Sequence, residues 1–111
     1  MHTGKITTVE HENCQEIILP PDNLDSSNVH MFKTWMVVNG KKNLVINMEH
    51  VKFLDSSGLG AILGATRHLS EMGCWLKILS PSRSVAALLG LMRIDKVIDI
   101  CYTRTQAGLP E

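Results

Sequence analysis

The stretch FLDSSGLGAILGA, residues 53–65, places an acid and two serines before the first turn of an amphipathic helix. From Ser56 onward, apolar residues recur at the three- and four-residue spacing of one helix face. Ser56 and Ser57 are both suitable N-caps, because a serine oxygen accepts a hydrogen bond from a backbone N–H two or three residues ahead. Gly60 and Gly64 each cost this helix about 1 kcal/mol relative to alanine if they lie in its interior.

Two explanations account for the glycines of this stretch. Close packing of the helix against a sheet requires positions without a side chain, so that the backbones can approach. Alternatively, Gly58 and Gly60 leave the first turn bare, so that a partner protein or a phosphate donor can reach Ser56 or Ser57. The sequence is compatible with both explanations.

Upstream of this stretch, KITTVEHENCQEIILP (5–20) predicts two short strands joined by a turn at Glu12-Asn13. A helix of about three turns is predicted next, with Asp25 or Ser26 as its N-cap and Gly40 just past its end. The apolar, β-branched run at 43–48 then predicts a buried strand.

Downstream of the helix that begins at Ser56, strands are predicted at 75–80 and 96–102 and a third helix at 81–92. This order predicts an α/β fold with a mixed sheet of four to five strands, the later ones parallel. Functional surfaces of such sheets lie beyond the carboxyl ends of the strands. Asp25, after the second predicted strand, and Asp55 with Ser56, after the third, are therefore expected at one edge.

The length and composition of the chain argue against several functional classes. A chain of 111 residues is long enough for one domain, and its 11 basic residues balance its 11 acidic ones, which argues against nucleic-acid binding through bulk charge. Neither a membrane-spanning run nor a signal peptide is apparent, so a cytoplasmic protein is expected. Three widely spaced cysteines predict reduced thiols in or near the core, and no metal or other cofactor is expected.

Three enzyme motifs fail on the same stretch. A dinucleotide pyrophosphate would meet the like charge of Asp55, and no acid closes a strand some 20 residues later. A P-loop would need a Lys-Ser/Thr pair after its last glycine. A nucleophile elbow would need a glycine two residues before the serine. We therefore expect no catalytic residues and no enzyme activity.

FLDSSGLGAILGA resembles the signature of the anti-sigma factor antagonists of the STAS domain family. The similarity extends to LVINMEHVKF before it and LKILSPSRSVAALLGLMRIDKVIDI after it. The resemblance implies one STAS domain over 1–111, with helices mainly on one face of a mixed sheet. Residues 103–111 would then form a short tail or a partial C-terminal helix. Asn47 stands where family members commonly have an acid.

The resemblance also implies a function in partner switching. Ser56, and with less support Ser57, would be phosphorylated by an ATP-dependent serine kinase that doubles as the anti-sigma factor. The unphosphorylated, monomeric protein would bind that kinase and release its sigma factor or another client, and a PPM-type phosphatase would restore this form. The expected partner surface comprises Asp25, Asp55, Ser56, Ser57, Gly58, Leu59 and Gly60.

Two alternatives belong to other functional classes. One is a constitutive STAS interaction or scaffold subunit of a transporter or signalling assembly, in which the serines act only as caps. The other is a small-molecule binder or enzyme that holds a nucleotide on the glycine turn.

Overall fold

The computed structural model describes residues 5–111, except for the side chains of Asp22 and Asn23. Three strands come first, and from α1 onward each helix is followed by one or two strands. Their bounds are β1 Thr7–Glu10, β2 Gln15–Ile18, β3 Asp22–Leu24, α1 Val29–Asn39, β4 Leu44–Asn47, β5 Val51–Leu54, α2 Ser56–Glu71, β6 Leu76–Leu79, α3 Arg83–Leu91, a short 3₁₀ helix Ile94–Lys96, and β7 Asp99–Cys101.

The main sheet has five strands in the order β1-β2-β4-β6-β7. Strand β1 pairs antiparallel with β2, and β2, β4, β6 and β7 run parallel to one another. Every residue of the central strand β4 is buried, as its continuous apolar run predicts. The predicted mixed sheet with parallel later strands is therefore confirmed.

Strands β3 and β5 form a separate parallel pair that the sequence pattern did not predict. They have three and four residues, too few for an alternation of apolar and polar residues to be recognised. Helix α1 consequently begins at Val29, so the predicted start at Asp25 or Ser26 is wrong. Asp25 follows β3, and Asp55 follows β5.

All three helices contribute to a core on one face of the main sheet, as expected. Phe32 of α1, Ile62 of α2 and Leu89 of α3 are fully buried there. Their partners on the sheet are every second residue of the parallel strands, including Ile17, Leu44, Ile46, Leu76 and Ile78.

The C-terminal segment covers the opposite face of the main sheet. Residues 104–108 form hydrogen-bonded turns and no helix. Ala107 and Leu109 are buried against a second apolar cluster that contains Cys14, Val45, Leu79 and Cys101. The chain after β7 is therefore a packed part of the domain. All three thiols are free, and burial raises the pKa of Cys14 and Cys101.

A buried carboxylate on this second face holds the C-terminal segment. Glu16 is only 1% exposed. Arg104 donates two hydrogen bonds to it, from Nη1 to Oε2 at 2.9 Å and from Nη2 to Oε1 at 2.8 Å. Nε2 of His11 lies 2.8 Å from Oε1, and the Asn47 amide donates to Oε2 at 3.1 Å. An acid at position 47 would instead place a second negative charge beside Glu16.

These contacts predict that stability falls in acid. The hydrogen bonds from Arg104, followed by those from His11 and Asn47, lower the pKa of Glu16 to about 2 from 4.5. The unfolded chain therefore takes up the proton first, and stability present above about pH 5 is lost as the pH falls toward 2. Between about pH 6 and about pH 2.5, wild type should lose about 2–3 kcal/mol more than Glu16→Gln in urea unfolding. Parallel losses in the two proteins would contradict this assignment.

Candidate partner-binding site

Two acidic turns leave the same edge of the small sheet. Leu24 of β3 and Leu54 of β5 are partners in the parallel register. Asp25 and Asp55 follow them directly, and the Asp55 backbone nitrogen lies 3.4 Å from the Leu24 carbonyl oxygen. Parallel pairing thus brings together two residues that are far apart in the chain, and the expected proximity of Asp25 and Asp55 has its origin in β3 and β5.

Asp55 connects the two turns through its carboxylate. Its backbone is extended, and Oδ1 accepts a hydrogen bond from the Gly58 N–H at 2.9 Å. Oδ2 accepts a second from the Ser26 N–H at 3.2 Å. The N-cap of α2 is therefore Asp55, and the prediction that Ser56 or Ser57 caps the helix is wrong. A carboxylate is favoured here because the helix N-terminus carries partial positive charge.

Ser56 and Ser57 occupy the first turn of α2. Ser56 is exposed and Ser57 is half-buried. Within the part of the chain that the structure describes, the Ser56 hydroxyl has no hydrogen-bond partner. Because Asp55 does the capping, this hydroxyl is left available to an incoming group.

Asp25 organises its own turn before α1. Its Oδ1 accepts hydrogen bonds from the Ser27 backbone N–H at 2.9 Å and from the Ser27 hydroxyl. Its carbonyl oxygen accepts from the Val29 N–H at 2.8 Å, and its N–H donates to Asn28 Oδ1 at 3.0 Å. Asp25 is half-buried, and Ser26 and Ser27, which follow it in this turn, are exposed.

Gly58 is required by packing. It is buried, and a Cβ there would lie 2.3 Å from the Leu24 carbonyl oxygen and 2.8 Å from Leu54 Cδ1. The packing explanation is confirmed for this glycine. Leu59 is also buried, with only 7% of its surface exposed. Both residues pack in the interior of the protein, beneath the first turn of α2.

Gly60 and Gly64 differ from Gly58. Both are exposed, and a Cβ at either position would meet nothing within 4 Å. They line one wall of an open groove of about 300 Å³ between α1 and α2, whose floor includes Phe32 and Met36. Close packing therefore does not explain Gly60 or Gly64.

Gly58→Ala is expected to destabilise the fold by about 2–3 kcal/mol, because the new methyl group must displace backbone of β3. Gly60→Ala is the matched control, with the same added methyl group one position beyond Leu59 in open space. It should stabilise the protein by up to about 1 kcal/mol, since alanine favours a helix over glycine. Urea unfolding of both variants tests this difference, and equal effects of the same sign would contradict it.

Ser26 and Ser27 belong to this site but were not predicted as site residues. The signal that could have found them is a repeated tetrapeptide. Leu-Asp-Ser-Ser occurs at 24–27 and again at 54–57. The structure places the two copies side by side, in register at their leucines.

A model of the STAS domain family matches residues 5–107, nearly the whole chain. The chain belongs to the STAS domain family. A Thermotoga maritima protein assigned as an anti-sigma factor antagonist is 27% identical over 95 residues, which cover 82% of this chain and 84% of the relative. This STAS domain thus has curated relatives of nearly its own length.

Solved structures agree with the assignment. A crystal structure of a Thermotoga maritima protein assigned as an anti-sigma factor antagonist superposes with a TM-score of 0.80 at 25% identity, covering 92% of this chain and 90% of that one. The anti-sigma factor antagonist SpoIIAA, in its unphosphorylated form, gives 0.76 at 21% identity, covering 92% and 91%. The second of these similarities shows the fold alone, and the predicted STAS-like α/β fold is confirmed.

Two further properties concern the described residues, 5–111. No group of three or more His, Cys, Asp and Glu side chains among them is arranged to hold a metal ion. None of the helices in that range is long and apolar enough to span a membrane.

Proposed function

We propose that this STAS domain is an anti-sigma factor antagonist that is switched by phosphorylation of Ser56. Its partner would be an anti-sigma factor with ATP-dependent serine kinase activity, and a PPM-type phosphatase would reverse the modification. The protein itself would act in the cytoplasm as a binding protein and catalyse nothing. The names of the Thermotoga relatives support the class of function.

One observation carries the choice of residue. The exposed Ser56 hydroxyl has no hydrogen-bond partner in the described chain, while the adjacent Asp55 carboxylate makes both the cap of α2 and the contact to the neighbouring turn. Phosphorylation of Ser56 therefore breaks no hydrogen bond within the described domain. Ser57 is half-buried, which makes it the weaker candidate.

The electrostatics of the site explain how the modification would prevent binding. A phosphoryl group adds about −1.5 to −2 charge at neutral pH. It would sit next to Asp55 and beside the turn of Asp25, and the N-terminus of α2 would stabilise it in the free protein. A partner packed on a small, neutral hydroxyl would instead face bulk, like charges and the cost of desolvating a dianion. Affinity would fall without refolding.

The proposed partner surface surrounds Ser56. Its exposed and half-buried members would contact the partner directly, and they are Asp25, Asp55, Ser56, Ser57 and Gly60. Its buried members, Gly58 and Leu59, would support the conformation of the turn.

The test uses each anti-sigma-type serine kinase encoded in the source genome, purified and incubated with the full chain and Mg-ATP. Intact mass counts the phosphoryl groups, and trypsin releases Ser56 and Ser57 on the peptide 53–67. We expect one kinase to add a phosphoryl group that maps to Ser56 and is absent there in Ser56→Ala. Absence of any gain with every kinase would overturn the phosphorylation switch.

A further inference from the structure

We propose that Ser26 is a second phospho-acceptor, used by the same kinase as Ser56. The inference rests on the proposed function of the site. The observation that supports it is the repeated Leu-Asp-Ser-Ser tetrapeptide. The copies at 24–27 and 54–57 are identical, and the parallel pairing of β3 with β5 aligns Leu24 with Leu54. Ser26 therefore stands in the first copy where Ser56 stands in the second.

The two serines also share their immediate electrostatic surroundings. Asp55 accepts the Ser26 N–H at 3.2 Å on Oδ2 and the Gly58 N–H at 2.9 Å on Oδ1. One carboxylate is thus bound to the backbone of the first turn and caps the helix of the second. Paired strands lie about 4.8 Å apart, so a kinase docked over one turn also covers the other.

The two serine hydroxyl groups of the first copy differ in their hydrogen bonding. The Ser27 hydroxyl donates to Asp25 Oδ1, and the Ser27 N–H reinforces that contact at 2.9 Å. Ser26 is exposed, and its hydroxyl makes no hydrogen bond to any residue of the described chain. Of the two serines in this turn, Ser26 is accordingly the one whose oxygen can attack without first breaking a side-chain contact.

The transfer itself is ordinary kinase chemistry. The Ser26 Oγ bonds to the γ-phosphorus of ATP while the bond from that phosphorus to the β,γ-bridging oxygen breaks. ADP leaves with the bonding electron pair, and the hydroxyl proton passes to a base of the kinase. Since either phosphoryl group would stand beside both Asp25 and Asp55, the second transfer is disfavoured by like charge. The singly modified forms should therefore predominate over the doubly modified one.

Trypsin digestion separates the two proposed phosphorylation sites, because they lie on different peptides. Trypsin releases Ser26 on the peptide 6–33 and Ser56 on the peptide 53–67. Wild type, Ser56→Ala, Ser26→Ala and the double variant are incubated with the kinase identified above and Mg-ATP. Initial rates come from intact mass, and fragmentation of 6–33 distinguishes Ser26 from Ser27. Ser84→Ala, an exposed serine on α3, is the control for handling and folding.

Ser56→Ala should still gain a phosphoryl group, now on Ser26, at a rate within about tenfold of wild type. The double variant should gain none. Modification of wild type at Ser56 together with no modification of Ser56→Ala would overturn the second site and leave the proposed function intact. Modification at Ser26 alone would support the second site and overturn the Ser56 assignment. Absence of modification in wild type would overturn both.

Discussion

Ser56→Asp is expected to weaken binding to the anti-sigma kinase about 100- to 1,000-fold, the consequence of placing a charge in a desolvated contact. The added carboxylate would lie next to Asp55 at the start of α2, within the proposed partner surface. Ser56→Ala, which removes only a hydroxyl group that has no partner in the described chain, should change the dissociation constant by a few-fold at most. Isothermal titration calorimetry with the purified kinase, without ATP, gives these constants directly.

Ser70→Asp is the matched control for Ser56→Asp. Ser70 is also an exposed serine of α2, but lies about 21 Å along the helix from Ser56. The same charge there should leave affinity nearly unchanged. If both aspartates weakened binding equally, net charge and not the site would be responsible. If Ser56→Asp bound as tightly as wild type, the constitutive STAS scaffold would be the better description of this protein.

Arg104→Met is expected to destabilise the protein by about 3–5 kcal/mol, because it leaves the buried Glu16 carboxylate without its main counter-charge. Methionine keeps much of the aliphatic packing, so the loss reports the charge. The turns at 104–108 also lose their ion pair to Glu16 but keep the apolar contacts that bury Ala107 and Leu109 on the second face of the sheet. Urea unfolding at neutral pH measures the effect.

Two further variants isolate the cause. Arg83→Met also removes one guanidinium group, but from an exposed position at the start of α3, and should cost less than about 1 kcal/mol. Glu16→Gln combined with Arg104→Met should recover part of the stability lost in Arg104→Met, since no charge then remains buried. A loss below about 1 kcal/mol in Arg104→Met would show that the pair contributes no more than a surface salt bridge.

Elements with a strong local pattern were predictable from the sequence. Helix α2 was predictable as an element because its apolar residues repeat at helical spacing over four turns, although it begins at Ser56, one of the two residues predicted to cap it. Strand β4 was evident from its apolar, β-branched run, and the order of strands and helices required parallel pairing. The short pair β3 and β5 has no comparable periodicity, and it was missed.

Candidate site residues were predictable only where residues adjacent in the sequence determine their role. The acid and serines before α2 pointed to Asp55 and Ser56 as parts of one edge. The sequence did not show which of three adjacent side chains caps the helix. Asp55 caps it through the Gly58 N–H, and its other oxygen accepts the N–H of Ser26, 29 residues away in the chain. The reason for Gly58 likewise lies in the Leu24 carbonyl oxygen across the small sheet.

The sequence by itself determined the class of fold, the family resemblance and the turn that carries Ser56, since each depends on neighbours along the chain. Only the tertiary structure decided the pairing of the two Leu-Asp-Ser-Ser turns and the burial of Glu16 against Arg104, which are 88 residues apart. Such contacts follow from the packing of the whole chain, because the free energy of a buried charge or a close backbone approach depends on what surrounds it in space.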